Sequence, residues 1–108
     1  MSTSLKNSRI KPTAESLTTL YTCPAATTTV ISSIVVCNLS ATTTTFRVAL
    51  QPLGAVIADA DYLYYDVSIQ GDDSFVFTGG ITMVATDVLS VYATLATLSF
   101  NLFYQEIS

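Results

Sequence analysis

Val30-Ile31-Ser32-Ser33-Ile34-Val35-Val36-Cys37-Asn38 lies inside a run from Ser16 to Phe46 that carries no charged side chain. β-Branched residues dominate it, hydroxyl residues punctuate it, and no 3.6-residue apolar period is sustained, so it reads as strand rather than helix. A second uncharged run, Val88 to Phe103, has the same texture, broken by Ser90, Thr94, Thr97, Ser99 and Asn101. Those breaks, with Pro24, Thr27-Thr28-Thr29 and Ser32-Ser33 in the first run, make a poor apolar helix, and no membrane span is expected.

Outward from these runs, turn signals separate further β-rich segments at short intervals. The expected strands are 16–23, 29–38, 43–51, 61–69, 73–78, 81–84, 87–95 and 97–105. This spacing predicts an all-β fold, an antiparallel β-sandwich of jelly-roll or Greek-key type with about eight strands. Residues 13–108 would form the sandwich and residues 1–12 an extended N-terminal arm. Cys23-Pro24-Ala25-Ala26, Asn38-Leu39-Ser40-Ala41, Gln70-Gly71-Asp72-Asp73 and Gly79-Gly80 are expected turns, the glycines supplying positions that tolerate positive φ. Pro52 to Ala60 is the longest connection and is expected to cross between sheets. A hairpin meander is expected for the later half.

Alternation then assigns faces. Phe46, Val48 and Leu50 should face inward, as should Leu63, Tyr65, Val67 and Ile69, then Leu89, Val91 and Ala93, and Leu98, Phe100, Leu102 and Tyr104. In strand 29–38, Val30, Ile34 and Val36 would face one way and Ile31, Val35 and Cys37 the other. A strand apolar on both faces is expected to be buried on both or covered by a second subunit. Val30, Ile34, Val36, Tyr62, Tyr64 and Phe103 are therefore the candidate interface residues, with Tyr62 and Tyr64 on an outward face beside Asp66.

The 108 residues fit one domain, and a mean hydropathy of +0.52 with 11% charged residues excludes a disordered solvating chain. Charge is unevenly placed: Lys6, Arg9 and Lys11 lie in the first eleven residues, whereas residues 12–108 carry Arg47 against eight acids, a formal balance of −7. The basic arm, with Leu5 and Ile10 as apolar anchors, is expected to stand away from the core, either as a frayed terminus or as an arm that docks Leu5, Lys6, Arg9, Ile10 and Lys11 onto the acidic body of a neighbour. Three positives beside an acidic body make a poor phosphate-binding patch, so direct nucleic-acid binding is not expected.

Chemical machinery is sparse. There is no histidine, and two cysteines cannot make a metal set, so no cofactor or metal is expected. Cys23 and Cys37 are expected as buried small hydrophobes in a reducing compartment. Asp59 with Asp61, and Asp72 with Asp73, lack calcium-loop spacing and read as solvated turn residues. No enzyme activity is expected. The N-terminus lacks a secretory pattern, and synthesis in a cytoplasm is expected.

Thr19-Leu20-Tyr21-Thr22, Pro24, Val30 to Asn38 and Thr45-Phe46-Arg47-Val48 occur in that order. They are followed by Tyr64-Tyr65-Asp66, Asp73-Ser74-Phe75, Gly80-Ile81-Thr82, Ala85-Thr86-Asp87, Val91-Tyr92 and Leu98 to Phe103. This ordered set, over about residues 17–106, resembles a family of small virion structural proteins of tailed double-stranded DNA phages. Ala26 and Tyr104 stand where that family commonly has glycine, and Cys23 where it commonly has valine.

The resemblance implies a non-enzymatic module of the neck, tail, baseplate or fibre region. It would be a homo-oligomer, expected as a trimer, contacting other virion structural proteins. The alternative is a capsid cement (decoration) protein laced to its neighbours by the arm. An alternative of another class is a receptor-recognition module reading sugar through Tyr62, Tyr64 and the acidic loops.

Overall fold

Each of the eight expected segments forms a strand in a computed structural model that describes residues 2–78 and 80–108. A ninth strand precedes them. In chain order these are β1 (Thr3–Ile10), β2 (Thr18–Thr22), β3 (Thr28–Asn38), β4 (Thr44–Gln51), β5 (Tyr62–Ile69), β6 (Ser74–Phe77), β7 (Ile81–Met83), β8 (Val88–Ala93) and β9 (Leu98–Ile107). One antiparallel sheet runs β1-β9-β3-β6, with β7 also on β3; the other runs β2-β8-β4-β5. Strands leave one sheet and return by way of the other, and this interleaving of two keys is a jelly roll.

The core fills the space between the sheets. Phe46 of β4 sits at its centre, its ring 5.3 Å from Phe75 of β6, 6.0 Å from Phe100 of β9 and 6.4 Å from Tyr64 of β5. Ile31, Ile34, Met83, Leu89, Leu98 and Leu102 are fully buried around it. The inward assignments for β4, β8 and β9 agree with this core.

Other expectations fail for identifiable reasons. The N-terminal segment is not a separate arm: β1 pairs residue by residue with β9 from Thr3↔Ile107 to Ile10↔Phe100. Its alternating polar residues suit an edge strand with one face wet. Met1 and Gly79 lie outside the described residues. The later half is no meander, since β8 and β9 belong to different sheets. The Pro52–Ala60 connection does not cross sheets either; β4 and β5 are antiparallel neighbours and the segment is their long loop.

Bulges invert two of the expected faces. On β3, Ile31 pairs with Tyr104 and Ser33 with Phe103, so Ser32 is an extra residue. Its hydroxyl donates to the Phe103 carbonyl at 3.0 Å. Inward residues are therefore Thr29 and Ile31 before the bulge, and Ile34, Val36 and Asn38 after it. Val30 is exposed, while Val35 and Cys37 are half-buried on the outer side. The strand is thus not buried on both faces, and Ile34 and Val36 are core rather than interface.

On β4 and β5, Phe46 pairs with Val67 and Val48 with Tyr64, leaving Arg47 opposed by both Tyr65 and Asp66. Asp66 adopts φ +51°, the left-handed conformation that aspartate tolerates better than most residues. This turns Tyr64 inward and Tyr65 outward, the reverse of simple alternation.

The turns use their glycines unevenly. Gly80 has φ +76°, as expected, but in Gln70–Asp73 the positive φ falls on Asp72. Gly71 is there for closeness: a Cβ on it would lie 2.2 Å from the Ala41 backbone. Asn38, buried, ties the same region together by donating to the carbonyls of Thr42 (2.8 Å) and Gln70 (3.2 Å).

Candidate interaction surfaces

The two outer sheet faces differ in chemistry. On the β2-β8-β4-β5 face, Arg47 points outward because its neighbours Phe46 and Val48 point in. Its Nε donates to Asp66 Oδ1 at 2.6 Å and its Nη2 to Oδ2 at 3.3 Å. The guanidinium lies 4.2 Å from the ring centre of Tyr65 and 4.3 Å from that of Tyr92. This clamp, a cation between two aromatic faces with its own carboxylate, holds Arg47 charged well above the ordinary arginine range, the Asp66 hydrogen bond being the main cause.

Beside the clamp, Tyr62 meets Tyr65 edge to face at 4.9 Å. Together with Asp59 they line a shallow depression of about 420 Å³. Asp61, two residues on, turns its carboxylate back to accept the Ala58 N–H at 2.9 Å. Asp73 likewise accepts the Ser74 N–H at 2.8 Å, so these acids serve local turns. Among the described residues no group of three or more histidine, cysteine or acidic side chains is placed to hold a metal ion.

The outer face of the β1-β9-β3-β6 sheet sets exposed apolar side chains among neutral polar ones, Thr3, Asn7, Asn101 and Gln105. Leu5, Val30, Val76 and Phe103 are all exposed on it, Leu5 at 83%. Among the described residues Arg9 is its outward charge, because the register places Lys6 and Glu106 on the inner side. Leu5, Lys6, Asn7, Ser32, Phe103 and Tyr104 line a shallow groove of about 280 Å³ at the β1 edge.

The expected site residues divide accordingly. Val30, Phe103, Leu5 and Arg9 are on the outer face of the β1-β9-β3-β6 sheet, and Lys11 is exposed just beyond β1. Ile10 packs against the core, and Lys6 is bound to Glu106 at 2.7 Å. Tyr62 is at the surface, but Tyr64 packs inward with Phe46, Phe75 and Phe77, and burial raises its hydroxyl pKa. Cys23 is buried, with Sγ 3.2 Å from Thr29 Oγ1, while Cys37 is half-buried on the outer side, and both thiols are free.

Sequence reasoning missed Tyr65, Tyr92 and Arg47 as one cluster. The available signal was Arg47 itself, the body's single base in an otherwise uncharged strand. It also missed Asp87, a buried carboxylate whose oxygens accept the N–H groups of Leu53 and Val84, both at 3.0 Å.

No family model and no curated protein matches the chain. Among solved structures it is similar to a chain of the acidic stable capsid structure of Helicobacter pylori bacteriophage KHP30, with TM-score 0.57 and 9% identity. The likeness is one of fold. It covers 98% of this chain and 93% of that one. An isomalto-dextranase of Arthrobacter globiformis T6, complexed with panose, aligns over 94% of this chain but 16% of its own, with 20% identity and TM-score 0.30, too slight a likeness to carry any argument.

Proposed function

We propose that this protein is a non-enzymatic structural component of a tailed-phage particle and that it sits on the capsid. The observation that carries the reading is the near end-to-end fold likeness to a chain solved within a phage capsid. The ordered motifs from Thr19 to Phe103 that resemble virion structural proteins agree with it. The capsid is preferred to neck, tail or baseplate because the matched chain comes from a capsid structure.

In this reading the β1-β9-β3-β6 outer face rests on the shell beneath. The 8, 10, 11, 4 and 3 residues of β1, β9, β3, β6 and β7 present about 570 Å², below the ~800 Å² that each partner of a stable complex contributes. Leu5, Val30, Val76 and Phe103 supply apolar anchors there, and Asn7, Asn101 and Gln105 among them would bond polar groups of the shell. The opposite face, with Arg47, Asp59 and Asp66, suits solvent. Neighbouring copies would then be arranged by the symmetry of the shell.

The test is labelling of purified particles with antibody against this protein. Label over the heads is the expected result. Label confined to tails would move the protein to the notional tail position, and label on neither would end the virion reading.

A further inference from the structure

We propose that the depression between Asp59, Tyr62 and Tyr65 is a binding site for the pyranose ring of a neutral carbohydrate. The inference stands on the β2-β8-β4-β5 outer face and does not depend on where the protein sits. Its volume, about 420 Å³, lies in the range of small-ligand sites, ~300–1,000 Å³.

The walls are built, not incidental. Asp66, in its left-handed conformation, throws Tyr65 outward; Arg47, pinned by Asp66 and stacked on Tyr65, fixes that ring; Tyr62 abuts it edge-on. Rings held in this way lose little freedom when a ligand arrives. Backbone strain in a surface aromatic cluster is also where function tends to concentrate.

The chemistry selects the ligand. Tyrosine offers an apolar ring for the C–H face of a sugar and a phenol for its hydroxyls, and the Asp59 carboxylate accepts hydrogen bonds from vicinal hydroxyls. A phosphate, sulfate or acidic sugar would meet Asp59 beside a body of formal charge −7, while the one nearby cation is already neutralised by Asp66. An apolar ligand would need a deeper and drier cavity. A cationic ligand is the competing class, since aromatic rings with a carboxylate also hold ammonium groups.

The experiment is titration of the ¹⁵N-labelled full chain with the methyl glycosides of glucose, galactose and mannose, and in parallel with tetramethylammonium and inorganic phosphate. At least one glycoside should give saturable amide shifts confined to residues 59–66 and 92, with a dissociation constant on the order of 1 mM. Asp59→Ala and Tyr65→Ala should each weaken that binding about tenfold or more, and Leu5→Ser on the opposite sheet should not alter it. Asp59→Ala, at an exposed position, removes both acceptor oxygens and decides the matter even if Tyr65→Ala fails to fold. The proposal is overturned by flat titrations with all three glycosides, by a response to tetramethylammonium or phosphate without one to sugar, or by binding that survives both substitutions.

Discussion

The hydroxyl of Tyr21, on β2, donates to the carboxylate of Glu106, on β9, so one hydrogen bond of 2.5 Å joins the two sheets. The same carboxylate holds Lys6 of the edge strand β1 at 2.7 Å, and Tyr21 also bonds Thr29 at 2.8 Å. Glu106 thus latches β1 to a strand of the far sheet.

Replacing Glu106 with glutamine should loosen β1 selectively. Hydrogen exchange is expected to show lost protection at Thr3–Ile10 while β3 and β8 keep theirs. The pH dependence follows from the same groups. Bonds from Lys6 and then Tyr21 hold the Glu106 carboxyl below its ordinary range, so its contribution is present above the unfolded value of about 4.3 and fades as pH falls through the lower folded value. The Glu106 bond raises Lys6, while burial and then the Glu106 bond raise Tyr21. Their contributions are whole below unfolded values of about 10.4 and 10, and fade as pH rises through the folded values. Protection of β1 should therefore be greatest between about pH 4.3 and 10, and in the glutamine variant the acid limb should vanish.

Much of the fold was legible because composition and turn residues mark strands without needing their partners. All eight expected segments are strands, and Leu98, Phe100, Leu102 and Tyr104 face inward as alternation requires. What failed was parity. Ser32 on β3 and the Tyr65–Asp66 pair on β5 each insert a residue and so change faces, while a second shift at Leu63 returns Tyr62 to the surface. Nothing in Tyr62-Leu63-Tyr64-Tyr65-Asp66 marks the bulge, since aspartate in a left-handed conformation looks like any strand aspartate in sequence. β1 was missed for another reason: its polar, basic residues resemble a tail until the β9 edge is there to receive them.

Ala26 has φ +54°, a conformation that glycine adopts without cost. It is also a position where the resembling phage family commonly has glycine. Ala26→Gly should raise stability by about 0.5–1 kcal/mol, the relieved strain exceeding the added freedom of the unfolded chain. The urea midpoint should rise at constant slope; a fall would mean that the turn is not strained.

Gly71 should not tolerate even alanine. The added carbon would lie 2.2 Å from the Ala41 carbonyl carbon and oxygen, and backbone cannot rotate aside as a side chain can. Displacing the turn that Asn38 ties together should cost about 1–3 kcal/mol or more, seen as a lower melting temperature.

Asp87→Ala would leave the Leu53 and Val84 amides without their carboxylate partner. A loss of about 1–3 kcal/mol is expected in denaturant unfolding. Asp87→Asn, which keeps one acceptor oxygen, should lose less.

The central claim, that this jelly roll is a capsid component, is tested most directly by counting it. Quantitative mass spectrometry of gradient-purified particles, with heads and tails separated, should find the protein in the head fraction at a fixed ratio to the shell protein. Its absence from the head fraction, whether it is found in tails or only in the soluble fraction of infected cells, would contradict the account.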